Sequence, residues 1–149
     1  MRRSRQLLVA AGLLVVGLQL SACTQESAEA DSAGAEPAKV EHLEGSDVSR
    51  LTLTAKAAER LGIQTKPVIR GPVRGRQRSV IPYSAVLYDA KGDAWVYVNP
   101  EPNTYVRERI TVEFIEGGQA VLTKGPAEGS PVVTVGAAEL YGTEFGVGH

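Results

Sequence analysis

The chain has 149 residues, room for one domain and no more. Its 16 basic and 17 acidic residues leave a formal net charge of −1, which excludes the broad cationic surface of a nucleic-acid binder. Two histidines, one cysteine and one methionine leave few side chains for metal or nucleophile chemistry.

The first segment reads as a targeting signal. Arg2, Arg3 and Arg5 precede an apolar run from Leu7 to Leu20 whose single polar member is Gln19. A basic flank followed by a short apolar stretch has the form of a secretory leader. The run is too short to cross a bilayer comfortably as a helix. It ends in Leu20-Ser21-Ala22-Cys23, which looks like a bacterial lipobox. In that type of signal the cysteine sulfur is acylated and cleavage makes Cys23 the new N-terminus. An ordinary leader with a chance cysteine, or an uncleaved anchor, is the plainer reading. A lone cysteine also excludes an internal disulfide. The expectation is an exported lipoprotein facing the periplasm or the cell exterior, with 1–22 as signal peptide and lipidation at Cys23. Two acyl chains anchor stably where one is marginal.

Residues 23–47 are rich in Ala, Ser, Glu and Asp and poor in large apolar groups. Such a segment cannot bury enough surface to offset its ordering entropy, so it reads as an acidic disordered tether. The folded domain is expected over 48–145, with 146–149 as a tail.

Leu51 and Leu53 alternate around Thr52 as in a strand. Thr54 can cap the helix-forming run Ala55-Lys56-Ala57-Ala58-Glu59-Arg60-Leu61, and Gly62 can end it. Ala57, Ala58 and Leu61 share one face of that helix, suited to packing on a sheet. Ile63 opens a strand that Pro67 marks as an edge or a short one. After Gly71-Pro72, the residues Arg74, Arg76 and Arg78 alternate with small or neutral ones, which on a strand puts all three on one face. From Ile81 to Val98 two alternating runs flank the turn formers Asp89-Ala90-Lys91-Gly92-Asp93, the pattern of a hairpin with Val86, Trp95 and Val96 as core candidates. The stretch 99–103 is a proline-bearing turn, and Gly117-Gly118 marks a second hairpin. Val132–Val135 reads as a buried strand, followed by a last helical turn over 137–142. The spacing predicts a mainly β fold, a small roll or barrel with one short N-terminal helix, preceded by signal and tether.

Chemistry is sparse. His42 falls in the tether and His149 is the last residue, neither with a second ligand at metal spacing. Ser84 and Ser130 lack the frame of an activated nucleophile. Asp89 and Asp93 could hold a cation, but aspartate in a turn more commonly bonds its own backbone. Glu108, Glu113 and Glu116 read as solvated strand positions. Trp95 could stack on a sugar, with core as the plainer role. No cofactor, metal site or enzymatic activity is expected. The Arg74, Arg76 and Arg78 stripe points most toward function, as a contact for anionic head groups or an acidic partner. The alternative is an edge strand defended by charge.

The run Ile81 to Val98, then Asn99 to Ile110, then Gly125 to Glu144, resembles the end of periplasmic adaptor subunits. These are the membrane fusion proteins of RND-type efflux pumps, here nearest the heavy-metal branch. Leu51 to Val68 is similar to the opening of the same proteins. In that family the two pieces form a membrane-proximal β-roll beside the pump. The resemblance covers about 48–145. It departs from the family in having only about a dozen residues, 71–80, where adaptors insert barrel, lipoyl and hairpin domains. It implies a lipid-anchored accessory module docking on an RND transporter or a full-length adaptor. The alternative is a small ligand- or metal-handling lipoprotein feeding an efflux system.

Overall fold

The computed structural model describes residues 36–146. The signal segment, Cys23, the tether as far as 35 and His149 lie outside the described residues.

The fold is mainly β, a curled half-barrel sheet with two short helices on one face. In chain order it runs β1 (Ala38–His42), β2 (Ser49–Leu53), α1 (Ala55–Leu61), β3 (Gln64–Pro67), β4 (Ile69–Val73) and β5 (Arg76–Pro82). Then follow a 3-10 turn (Tyr83–Ala85), β6 (Leu87–Tyr88), β7 (Ala94–Glu101), β8 (Thr104–Glu116), β9 (Gln119–Lys124), β10 (Pro131–Val135) and α2 (Ala137–Glu144). The main path is β3-β10-β7-β8-β9-β5-β4, all antiparallel. Its two ends, β3 and β4, are successive pieces of one run interrupted at Val68. Val68 exchanges backbone bonds with the 129–130 loop, donating to Ser130 and accepting from Gly129, both at 2.9 Å.

Local chemistry sets the element ends. Thr54 accepts from the Ala57 amide at 3.2 Å, and Gly62 takes the left-handed conformation at φ 61° that closes α1. Gly117 and Gly118 both have positive φ, 57° and 75°, as the tight β8–β9 turn requires. β8 is long because it serves three partners. One edge pairs with β7, while the other pairs first with β2 and then, past an irregularity at 111–114, with β9.

Alternation along β7 and β10 divides the core in two. Tyr97 and Val133 face Leu51, Leu53, Tyr105 and the helix residues Ala57, Ala137 and Leu140. Val96 and Val132 face the other way, onto Val68, Ile81, Ile110 and Leu122 inside the curl. Both clusters are shielded from solvent, and each fully buried Val or Leu contributes about 1.5–3 kcal/mol.

Four expectations change. The stretch read as tether contains β1, whose backbone pairs with β2 from Ala38↔Leu53 to His42↔Ser49. An edge strand of this kind draws on main-chain bonds more than on apolar content, so composition understated it. The hairpin expected from Ile81 is shorter, because Ile81 and Pro82 end β5 and only Leu87–Tyr88 pairs with β7. Trp95 is half-buried and outside both clusters, and Val86 only flanks the second. The last helical turn extends to Glu144 as a helix of eight residues.

Candidate functional site

The arginines expected on one strand face are divided between a turn and a strand. Arg74 and Gly75 form the β4–β5 turn with φ of 48° and 77°, so Arg74 is off the strand that carries Arg76 and Arg78. Two glycine-like backbone positions are what a two-residue turn demands, and Arg74 fills one of them. The turn nevertheless folds its arginine toward β8. The Arg74 guanidinium lies 3.9 Å from the centre of the Phe114 ring and 3.3 Å from Glu116 Oε1. Arg78 Nε donates to Glu113 Oε2 at 2.5 Å. The Arg78 bond holds the Glu113 carboxyl below its ordinary range, with Arg76 and Arg74 adding to the effect. Arg76 is exposed and has no carboxylate within 4 Å among the described residues. The three arginines thus share one patch in which Arg74 and Arg76 are exposed and Arg78 is half-buried, pinned at two points, with Arg76 unpaired among the described residues. β4 carries an exposed Ile69 nearby in sequence and is an edge of the sheet, so charge here also guards an edge.

The other candidates take structural places. Asp89 Oδ1 accepts from the Lys91 and Asp93 amides at 2.8 and 2.9 Å, and its Oδ2 accepts from the Trp95 indole at 3.0 Å. Partial burial pushes its carboxyl up, but these three bonds together win and lower it. Asp93 pairs with Arg109. Glu108 departs from a solvated face, since partial burial raises its carboxyl against the opposing effect of Lys124. Glu113 and Glu116 are exposed strand positions. His42 Nδ1 lies 3.2 Å from Ser49 Oγ at the end of β1. Ser84 sits exposed in the 3-10 turn, and Ser130 supplies its carbonyl to Val68. Among the described residues no three His, Cys, Asp or Glu side chains converge on a metal position.

A buried polar network was not anticipated. Glu144, the last residue of α2, points into the first cluster. Its carboxylate accepts from Arg107 Nε at 3.1 Å, Arg107 Nη2 at 3.3 Å, the Ser49 amide at 3.1 Å and the Tyr97 hydroxyl. The Arg107 and Glu144 side chains are 4% and 2% exposed. Arg107 also donates to the Asp47 carbonyl at 3.0 Å and stacks on the Trp95 ring at 4.1 Å. Burial, followed by the bond to Glu144, raises the Tyr97 hydroxyl far above the ordinary phenol range, so it stays a donor. Every oxygen is engaged and water is shut out. This is a clamp of α2 onto β2, β7 and β8, with no group left to act on a substrate. The sequence signal was phase alone. Arg107 alternates with Tyr105 on β8 and faces Tyr97 across the β7 pair, a core position occupied by a charge.

Beside the clamp, α1, α2 and β1 border an open groove of about 950 Å³. Val40, Leu53, Ala57 and Leu61 make its apolar part, with Arg60 and Glu139 at its margin. No described helix is long and apolar enough to cross a membrane. Comparison with family models, curated proteins and solved structures finds no match.

Proposed function

We propose that the chain is a non-enzymatic accessory module of the cell envelope, lipid-anchored at Cys23. It docks on an efflux partner, an RND-type transporter or a full-length adaptor. The observation that carries this reading is the patch of exposed Arg74 and Arg76 with half-buried Arg78, held ready by Glu113, Glu116 and Phe114. Pre-positioned guanidiniums lose little freedom on meeting carboxylates or lipid phosphates, which suits them to contact. The engagement of Asp89, Asp93, Glu144 and Tyr97 in folding bonds supports a role without catalysis. The resemblance of 48–145 to adaptor ends names the partner class. The test is in-cell crosslinking from a photoreactive residue at position 76, followed by mass spectrometry of captured envelope proteins. Capture of an RND pump or adaptor, lost in Arg76→Glu/Arg78→Glu, supports docking. Capture unaffected by those charge reversals refutes this surface.

The apolar groove favours a second reading, a ligand-handling lipoprotein feeding an efflux system. Displacement of anilinonaphthalene sulfonate from the groove by transported compounds supports it. Absence of dye binding, with no calorimetric heat for copper, zinc or silver, closes it.

A further inference from the structure

Among the described residues β1 is paired on one side only, with β2. Which of its backbone groups face outward follows from the register. Thr54 donates to the Pro37 carbonyl and Leu43 donates to Val48, so the odd-numbered residues bond inward to β2. The pattern of an antiparallel ladder then leaves the N–H and C=O groups of Ala38, Val40 and His42 pointing away from the sheet. Val40 is 42% exposed and borders the open groove. On the opposite face Lys39 Nζ and Glu41 Oε1 are 2.9 Å apart, flanking Val40 in sequence, with Arg50 opposite Glu41.

An edge is commonly defended by charged side chains, lysine above all. Here the two charges differ and are placed symmetrically about Val40. A second copy laid antiparallel, with Val40 facing Val40, puts each Lys39 opposite the other copy's Glu41. The same register places Ala38 opposite His42, so outward-facing groups meet outward-facing groups and about six backbone bonds can form. Two-fold registers centred on Lys39 or Glu41 instead bring like charges face to face, which is destabilising. We infer that the free edge of β1 is a self-complementary docking edge for a second copy of this chain, joined antiparallel about Val40. The contact is small against the ~1,200 Å² of a standard interface, so it is a weak association that grows where copies are concentrated.

The register makes the test specific. In an antiparallel pair the facing Val40 positions are about 5.5 Å apart at Cα, within disulfide reach, while Lys39 and its copy sit diagonally at about 7–8 Å. Full-length chains carrying Val40→Cys or Lys39→Cys are expressed beside wild type and oxidised in cells. A dimer band for Val40→Cys, well above those for Lys39→Cys and wild type, is expected. Copies bearing two different tags should co-purify at least ten-fold less when both carry Lys39→Glu. They should recover with Lys39→Glu/Glu41→Lys. Val40→Pro should abolish the association while leaving the urea midpoint in place, because the Val40 amide is not used by β2. Equal bands for both cysteine variants, capture of a different protein by Val40→Cys, or failure of the charge swap to restore pairing each overturns the inference.

Discussion

Removing the charge from Glu144 while leaving Arg107 in place is the sharpest test of the buried clamp. In Glu144→Gln the guanidinium stays in a site where its side chain is 4% exposed, facing a neutral amide. It keeps the Asp47 carbonyl and the rings of Trp95, Phe145 and Tyr141 as favourable partners, none of them a counter-charge. Breaking a buried pair from one side costs about 3–5 kcal/mol. Gln keeps one acceptor oxygen, so it can still accept from the Ser49 amide or from the Tyr97 hydroxyl but not from both, and a loss within that range is expected. Domains of this size have about 5–15 kcal/mol in all, so the loss is large, and the thermal midpoint should fall by roughly 10–20 °C. The double variant Arg107→Met/Glu144→Gln removes the orphaned charge and keeps the acceptor. It should recover most of the loss and lie within about 1.5 kcal/mol of wild type. Urea titration of the full chain followed by tryptophan emission is the assay. The single tryptophan, Trp95, stacks 4.1 Å from the Arg107 guanidinium and reports the site directly. If Glu144→Gln costs under about 1 kcal/mol, or the double variant is no more stable than the single, the charge is not buried as argued.

Further outcomes follow from other contacts. The Tyr97 hydroxyl is raised by burial and by Glu144, so its stabilisation is full below the ordinary phenol value and is lost as pH rises above about 10. Tyr97→Phe should flatten the alkaline fall in urea midpoint, the remaining slope coming from Tyr105, which burial also raises. Gly136→Ala drives a Cβ against Ile63 Cδ1 at a φ of 89°, and should destabilise by about 2–3 kcal/mol. Adding Ile63→Val should recover only the steric part in a thermal melt. Arg78→Ala should return the Glu113 carboxyl toward its ordinary value in a carbon-detected NMR titration. The stabilisation tied to the lowered value is present above the ordinary carboxylate range and lost as pH falls through it. Asp89→Ala strands two amides and the Trp95 indole and should cost about 1–3 kcal/mol, with a shift in tryptophan emission.

What was legible in the sequence was whatever local chemistry decides. Thr54 and Gly62 bracket α1 because capping acts within a few residues, and Gly117-Gly118 turns β8 into β9 because positive φ favours glycine. Pro67 marked β3 as an edge or a short strand, and it is both, four residues at the end of the sheet path. What stayed hidden depends on partners far along the chain. β1 exists through pairing with β2, and its own residues are those of a solvated linker. Trp95 looked like core because its neighbours Val96 and Tyr97 are, yet it sits at the end of the first cluster's face, where Arg107 supplies the packing. Arg107 and Glu144 are 37 residues apart, and neither differs locally from a surface charge. The arginine patch was half legible. Its spacing implied a common face, while the positive φ of Arg74 moved one member into the turn.

The clamp also orders events in time. All ten strands of the described chain precede Glu144, so synthesis from the N-terminus delivers Arg107, Trp95 and Tyr97 before their counter-ion exists. Until α2 arrives, the guanidinium must keep its water, and the face of β2, β7 and β8 around it stays wet. The first core cluster therefore cannot dry out on a nascent chain lacking its final helix. A growing polypeptide stays open on that side until its last described helix is made.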